Sequence, residues 1–225
     1  VIYLNAATDP YGATDANYNT EVQAAITAQI GAANYDIGHL MSAIGNNGNA
    51  GCIGCICGTD TQFWTLLGAG KGSGFTTSTN PIGDTFDIDY VAHEIGHQYG
   101  GNHTFSFSAE NNAVNMEPGS GVTIMGYAGI TGATDVASNS IPIFHAGSIQ
   151  QITNNIKSKT CPVLINTGNA VPVPLTPATK TLPIGTAFKL TGTATDANAN
   201  DVLSFCWEQV NDATTVGAAA SYPSE

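Results

Sequence analysis

Five residues within eleven positions constrain this chain more than any other feature. They are His93, Glu94, His97, Gly100 and His103, in the pattern HExxHxxGxxH. Histidines four residues apart lie on one face of a helix, so the spacing predicts a helix through His93 and His97. His103 can join them only if the chain reverses after the helix, and Gly100 permits this because glycine adopts positive φ without steric cost.

Three imidazoles on a helix and the following turn are a donor set for a zinc ion that keeps one coordination position open. Glu94 lies beside His93 on the edge of the same face, so it is placed to accept a proton from water at the metal rather than to bind the metal. Buried helix histidines are common, but the chance that a chain of this length matches all five positions somewhere is on the order of 1 in 100,000 for average residue usage. The pattern therefore predicts a zinc site.

A second motif, Thr123-Ile124-Met125-Gly126-Tyr127, follows in a Gly-rich region. A zinc pattern of this form followed by a methionine turn resembles the metzincin zinc endopeptidases. The resemblance implies that Met125 is the turn methionine, which lies beneath the metal ligands as an apolar floor. It also implies that Tyr127 matches the tyrosine that lies near zinc and helps stabilise the transition state in astacin-like and serralysin-like members.

Within this clan the chain is similar to bacterial secreted reprolysin-like, adamalysin-related peptidases. The similarity rests on residues 86–92 before the zinc motif, 117–121 before the methionine turn and 144–146 at the start of the last helix. Thr104 departs from the aspartate that adamalysins and reprolysins usually have after the third histidine. His103-Thr104-Phe105 also occurs in pappalysin-like enzymes.

The resemblance implies an α+β fold: a twisted mixed sheet with the active-site helix, then a small irregular lower subdomain that ends in a helix. Periodicity and capping signals predict helices over 15–30, 87–99 and 145–157 and strands over 1–5, 35–41 and 74–77, the last at a sheet edge. Asp84 or Asp87 is expected to cap the middle helix, and Ile149, Ile152 and Ile156 to form one apolar face of the last. A metzincin normally begins with a further strand and helix, so the resemblance implies that this chain lacks them.

The composition changes after Cys161. Prolines punctuate a predicted linker over 166–183, and alternating residues then predict strands over 188–195 and 202–210. This β pattern is too short for a sandwich of about 100 residues. We therefore expect a catalytic domain over 1–165 and the truncated start of an Ig-like module over 184–225.

Charge and hydropathy exclude several classes of protein. Five Lys and Arg face 17 Asp and Glu, for a formal net charge of -12, which argues against nucleic-acid partners and against docking on an anionic membrane. No apolar run approaches the roughly 20 residues of a membrane span, so no membrane insertion is expected. Few Lys and abundant Asn, Thr, Ser and Gly are typical of a secreted bacterial protein. The oligomeric state stays open.

The five cysteines favour disulfides. Cys52, Cys55 and Cys57 form CxxCxC, which could hold a soft metal, but without a second cluster disulfide pairing is favoured, with Cys161 as a candidate partner. Cys206 is expected to be buried or paired within the C-terminal module.

Three aspartates and two histidines outside the zinc motif have plainer explanations. Asp84, Asp87 and Asp89 could bind Ca²⁺, although helix capping and dipole complementarity explain them as well. His39 and His145 are expected to be structural.

The sequence thus predicts a secreted zinc-dependent endopeptidase in which Glu94 is the general base. The resemblance implies a protein or peptide substrate extended along the edge strand of the sheet. One alternative is a pappalysin-like peptidase with the same mechanism. Another is a non-catalytic binding or adhesive module with an inactive, truncated metal domain, against which the intact motif residues argue.

Overall fold

The computed structural model describes residues 2–5, 7–58, 70–110, 112–175 and 177–213. It divides into two compact units, Val1–Pro162 together with the chain from Gln209 onward, and Val163–Glu208. The first unit ends close to the predicted boundary at residue 165. Residues 209–213 group with the first unit, whereas the predicted module runs unbroken from 184 to 225.

A mixed three-stranded sheet organises the first unit. Its strands are β1 (His39–Ser42), β2 (Asn46–Asn49) and β3 (Gly74–Ser78), in the order β1-β3-β2. β3 runs parallel to β1 and antiparallel to β2, and all five of its residues are buried. The prediction of an edge strand over 74–77 is wrong, since β3 is central and β1 and β2 form the two edges. Asn46–Asn49 carries no alternation of apolar residues, so its sequence reads as a loop.

The N-terminal strand prediction is also wrong for the residues that are described. Residues 2–5 have no regular structure, and Ile2 and Leu4 are 84% and 94% exposed. A segment with alternating apolar residues forms a β-strand only when a neighbouring strand pairs with it. The strand predicted over 35–41 begins later, at His39, and a short 3₁₀ turn at Ala32–Asn34 precedes the irregular residues 35–38.

Helix α1 (Tyr18–Ile30) packs on the sheet. It follows a 3₁₀ turn at Asp15–Asn17 and ends at Gly31, as the sequence predicts. Tyr18 and Val22 are each 1% exposed, and the Tyr18 ring meets Phe75 of β3 edge to face, with ring centroids 5.6 Å apart.

The predicted active helix is continuous from Gly83 to Gln98. It comprises α2 (Gly83–Phe86), a π-helical turn (Asp87–Ala92) and α3 (His93–Gln98). The predicted capping by Asp84 or Asp87 is wrong, because the helix begins earlier and its N-cap is Ile82, which makes no side-chain cap hydrogen bond. The π turn ends directly before His93, which fits the frequent occurrence of such turns beside functional sites.

Residues 101–110 and 112–145 are irregular apart from a 3₁₀ turn at Gly132–Thr134, and α4 (Ala146–Lys157) follows them. His145 caps this helix, since its Nδ1 accepts a hydrogen bond from Gly147 N at 3.1 Å. The structural role expected for His145 is thereby confirmed. The predicted apolar face holds only in part, because Ile149 is 54% exposed while Ser148 faces the interior.

Two disulfides link Cys52 to Cys55 and Cys57 to Cys161. The prediction of disulfide pairing, with Cys161 as a partner, is confirmed. The second bond ties the loop after β2 to the segment after α4. Cys206 is exposed and has no disulfide partner among the described residues, so its predicted burial is wrong.

The second unit contains one two-stranded ribbon, β4 (Val173–Leu175) antiparallel to β5 (Thr193–Thr195). β4 lies within the predicted linker, and residues 202–210 form no strand. Phe188 and Trp207 are 67% and 53% exposed, so the described residues of this unit show no sandwich core and the Ig-like module is not confirmed. Residues 214–225 of that predicted module lie outside the described residues. Within the described parts of the chain, no helix has the length and apolarity that a membrane crossing requires.

Candidate metal centre and active site

The structure brings the three predicted ligands together. His93 and His97 are 3% and 7% exposed on α3, and Gly100, at a φ of 111°, turns the chain back so that His103 faces them. One ring nitrogen from each histidine lies within 4.8 Å of the others, which makes the cluster capable of holding a metal ion.

In each of the three rings, Nδ1 is hydrogen-bonded to an oxygen atom. Nδ1 of His93 lies 2.6 Å from the Ile124 carbonyl, Nδ1 of His97 lies 2.7 Å from the Gly101 carbonyl, and Nδ1 of His103 lies 2.8 Å from the Glu110 carboxylate. Carbonyl and carboxylate oxygens only accept, so each Nδ1 is the donor and each neutral ring leaves an Nε2 lone pair free.

These free lone pairs face one another. The Nε2 atoms of His97 and His103 are 3.0 Å apart, an arrangement that is repulsive between two unprotonated nitrogens unless a cation lies between them. Burial lowers the pKa of His93 well below its ordinary value and the pKa values of His97 and His103 to about 4, so protons do not fill that role at neutral pH. Three neutral imidazoles with oriented second nitrogens fit a zinc ion.

Glu94 lies beside the cluster but outside it. It is 9% exposed, and burial raises its pKa to about 7, while a hydrogen bond from the Ala50 backbone opposes the shift. The edge strand β2 passes against this side chain, because a Cβ at Gly48 would lie 2.5 Å from Glu94 Oε1. The carboxylate is therefore held between α3 and the edge strand.

Met125 lies against α3. Its side chain is fully buried, and a Cβ at Gly96 would lie 2.5 Å from its Sδ. The Met125 carbonyl accepts from Thr104 N at 3.1 Å, so the turn is bonded to the segment that carries the third histidine.

Tyr127 joins the cluster through its ring. The centroid of the Tyr127 ring lies 4.5 Å from that of His103 and 5.5 Å from that of His93. The Phe105 ring also packs against Tyr127, with centroids 4.8 Å apart. Burial, reinforced by the nearby charges of Glu94 and Glu110, raises the pKa of Tyr127 to about 12. The phenol therefore keeps its proton and can donate it in a hydrogen bond near neutral pH.

A cavity of about 390 Å³ opens beside the histidines. Its lining includes Glu94, His103, Tyr127 and Glu110, together with residues 48–53 from the edge strand and the loop after it. A larger cavity of about 680 Å³ lies between α1 and β1 and contains none of the three ligands. The smaller cavity is the candidate active site, because it alone of the two is lined by candidate ligands, His97 and His103, and by the candidate base Glu94.

Sequence reasoning misses three residues that the structure places at or near the site: Gly48, Glu110 and Glu117. Gly48 lies in a polar strand that reads as a loop, and Glu110 lies in an irregular segment with no periodicity. Glu117 stands out in sequence only through the family-like segment 117–121. No local spacing rule could have brought any of them to the histidines.

The calcium hypothesis has no support among the described residues. Asp84, Asp87 and Asp89 do not form a cluster capable of holding a metal, and Asp89 Oδ1 instead accepts from Ser140 N at 2.8 Å. His39 bridges Gln98 of α3 and Thr76 of β3, which is the structural role expected for it.

Comparison with known proteins identifies a related family. A family model described as metallo-peptidase family M12B, reprolysin-like, matches residues 1–156. No curated protein and no solved structure matches the chain significantly.

Proposed function

The chain belongs to the reprolysin-like M12B metallopeptidase family, and from this premise we propose that it is a secreted zinc-dependent endopeptidase that hydrolyses peptide bonds in proteins. The observation that carries the proposal is the convergence of three Nε2 lone pairs, each fixed by an acceptor on the opposite ring nitrogen. The two disulfides of the first unit fit an oxidising, extracellular setting.

His93, His97 and His103 would hold the zinc ion. Zinc supplies a Lewis acid that polarises the scissile carbonyl and acidifies the attacking water. The three neutral imidazoles keep the cluster free of competing protons at neutral pH, and their Nδ1 hydrogen bonds hold the ring orientations.

Glu94 is the proposed general base. Its carboxylate borders the cavity next to the ligands, takes the proton of the attacking water and returns it to the leaving amine. The Ala50 amide and the close backbone of Gly48 restrict where this carboxylate can lie. The side chain is thereby kept beside the metal position without joining the ligand set.

Tyr127 is the proposed donor to the developing oxyanion. Its protonated phenol lies on the same cavity as Glu94, with its ring against His103. A donor that is fixed before the reaction stabilises charge that appears only in the transition state. Met125 and Gly100 are proposed to have structural roles. Met125 packs beneath α3, and Gly100 lets the chain reverse between α3 and His103.

The substrate is proposed to lie extended along β2. This strand is the sheet edge beside Glu94, and its residues Gly48 and Asn49 line the same cavity as His97 and His103. An exposed edge offers unpaired backbone groups to which an extended peptide can add. The reprolysin-like match favours this family over the pappalysin-like alternative.

The domain limits stay a proposal: a catalytic domain over 1–165, a linker over 166–183 and the start of an Ig-like module over 184–225. The separation of Val163–Glu208 from the first unit supports the first boundary. A chain that ends at Thr167 should therefore still bind zinc. Loss of zinc from a folded chain of this length would contradict the boundary.

The decisive experiment compares two variants of neighbouring residues. Glu94→Gln keeps the size of the side chain but cannot take the proton, so zinc content should stay at about one per chain while peptide hydrolysis falls by at least about 100-fold. His97→Ala should lose zinc and activity together. A Glu94→Gln variant that cleaves at the parental rate, or a His97→Ala variant that keeps full zinc after dialysis, would refute the proposal.

A further inference from the structure

Glu117 is a buried carboxylate that the proposed chemistry does not use. It is 5% exposed, and its Oε1 accepts from the backbone amides of Val122 and Thr123 at 2.9 and 3.0 Å. Its Oε2 accepts from the hydroxyls of Thr104 and Thr123. Within the described part of the chain no Lys or Arg forms an ion pair with it. Four neutral donors therefore replace the water that this group loses on burial.

The donors come from two segments that both serve the candidate metal site. Thr104 directly follows the third ligand, His103, and Thr123 directly precedes Ile124, whose carbonyl accepts from Nδ1 of His93. One carboxylate thus joins the segment that presents the third ligand to the segment that orients the first. The backbone adds a second bond between Glu117 and the first of these segments, since Glu117 N donates to the Thr104 carbonyl at 2.8 Å.

The turn between the two segments is closed tightly around this carboxylate. A Cβ at Gly121 would lie 3.0 Å from Glu117 Oε2 and 3.1 Å from its Cδ. The chain therefore leaves no room for a side chain between the turn and the carboxylate. The carboxylate therefore has little freedom to move. Because it is bonded to both segments, a shift of the carboxylate would move both of them.

We propose that Glu117 is the positioning residue of the zinc site, a role that rests on the proposed function. Glu117 touches neither the metal position nor the cavity. It sets the separation between His103 and the Ile124 carbonyl, and through that carbonyl the orientation of the His93 ring. Outer partners of metal ligands typically change metal affinity by 10–100-fold when they are altered.

The first test uses the hydroxyl of Thr104 and leaves the carboxylate in place. Thr104→Val removes the donor with little change in shape, and Thr104→Ser keeps it. We expect zinc affinity, measured by competition with a chromophoric chelator, to fall roughly tenfold or more in the valine variant and to stay near the parental value in the serine variant. The visible absorption of the Co²⁺-substituted proteins should shift in the valine variant alone, because the ligand geometry changes there.

The second test moves the carboxylate. Glu117→Gln keeps an acceptor for the two backbone amides but replaces Oε2 by an NH₂ group, which cannot accept from the Thr104 and Thr123 hydroxyls and removes the charge, so zinc affinity should fall by roughly 10–100-fold. Adding Thr104→Asp to that variant returns a carboxylate to the same junction and should recover part of the loss. Glu21→Gln is the matched control, since Glu21 binds one loop amide, that of Gly12, away from the histidines.

The outcomes separate this inference from the function on which it rests. A parent chain that binds no zinc overturns both. A parent that binds zinc through His97, with equal affinity in the valine and serine variants at position 104, overturns the positioning role alone. An affinity loss in Glu117→Gln that a distant core variant of equal stability, such as Val22→Ala, reproduces would show that Glu117 acts only through stability, and it would also overturn the role.

Discussion

The carboxylate of Glu110 lies 2.8 Å from Nδ1 of His103. Both carboxylate oxygens are within 2.9 Å of this nitrogen, and Asn112 Nδ2 holds the pair by donating to the His103 carbonyl and to Glu110. Among the three candidate ligands, His103 is thus the only one whose Nδ1 meets a carboxylate rather than a backbone carbonyl. A carboxylate in this position fixes the tautomer and raises the basicity of the ligating nitrogen.

Replacing Glu110 should therefore weaken zinc binding. Glu110→Ala is expected to lower zinc affinity by about 10–100-fold, and Glu110→Gln by less, because the amide oxygen still accepts but without charge. Chelator competition measures both effects. Asp135→Asn is the control, since that carboxylate bonds only to its own turn. Equal affinities in the parent and Glu110→Ala would show that the contact does not support the ligand.

Gly48 gives a variant that should affect the proposed base, Glu94, without affecting zinc binding. The backbone at Gly48 suits an L-residue, so alanine adds only its Cβ, which would lie 2.5 Å from Glu94 Oε1. The carboxylate must move away, and a misplacement of about 1 Å can cost on the order of 100-fold in rate.

Peptide hydrolysis by Gly48→Ala should therefore fall by about this factor at unchanged zinc content. Gly12→Ala is the control, because the closest contact of its Cβ would be the end of the flexible Glu21 side chain, at 3.2 Å. Parental activity in Gly48→Ala would show that Glu94 is not confined by the edge strand.

The parts of the molecule that follow from local spacing could be predicted from the sequence. The histidines share a helix face because residues four apart always do, and the reversal at Gly100 follows from the conformations open to glycine. The position of β3 at the centre of the sheet could not be predicted in this way. Strand order depends on which distant segments pair, and the partner β2 has no apolar pattern of its own.

The same reason explains why Glu110 and Glu117 were missed. Glu110 contacts His103, and Glu117 contacts Thr104 and Thr123. Both lie in irregular segments whose path depends on many separate hydrogen bonds, such as that from Thr104 N to the Met125 carbonyl. The π-helical turn before His93 has no signature in the sequence either, since it differs from an α-helix only in hydrogen-bond register.

Removal of the Tyr127 hydroxyl tests the proposed oxyanion donor. Tyr127→Phe keeps the ring contacts with His103 and Phe105, so zinc content and stability should stay near parental values. Loss of one oxyanion donor typically lowers kcat by about 100–1,000-fold, and a comparable fall is expected here with KM little changed. Steady-state kinetics on one peptide substrate measure both constants. An unchanged kcat would reduce Tyr127 to a packing residue.

His39 should make the first unit less stable in acid. Gln98 Nε2 donates to the Gly38 carbonyl, so Gln98 Oε1 is left to accept from Nδ1 of His39 at 2.9 Å. Nε2 of the neutral ring then accepts from the Thr76 hydroxyl at 2.8 Å. Burial lowers the pKa of His39 below its ordinary value of 6.5, and the hydrogen bond to Gln98 opposes the shift only in part.

Because the pKa of His39 is lowered in the folded protein, acid should destabilise the fold. The folded protein takes up a proton at His39 less readily than the unfolded chain does, so the stability that the neutral ring contributes is complete above about pH 6.5. It is lost as the pH falls from that value through the lowered pKa of the folded state. His39→Leu removes both hydrogen bonds and the titration, and at pH 8 it should lower the free energy of unfolding by about 1–3 kcal/mol.

The difference between the parent and His39→Leu should shrink at pH 5. Urea unfolding of both proteins at pH 8 and pH 5, each treated with EDTA so that metal release does not contribute, measures it. The ligand histidines titrate in both proteins, so their effect cancels in the difference. A difference that stays constant or grows on acidification would mean that His39 is not held neutral by its surroundings.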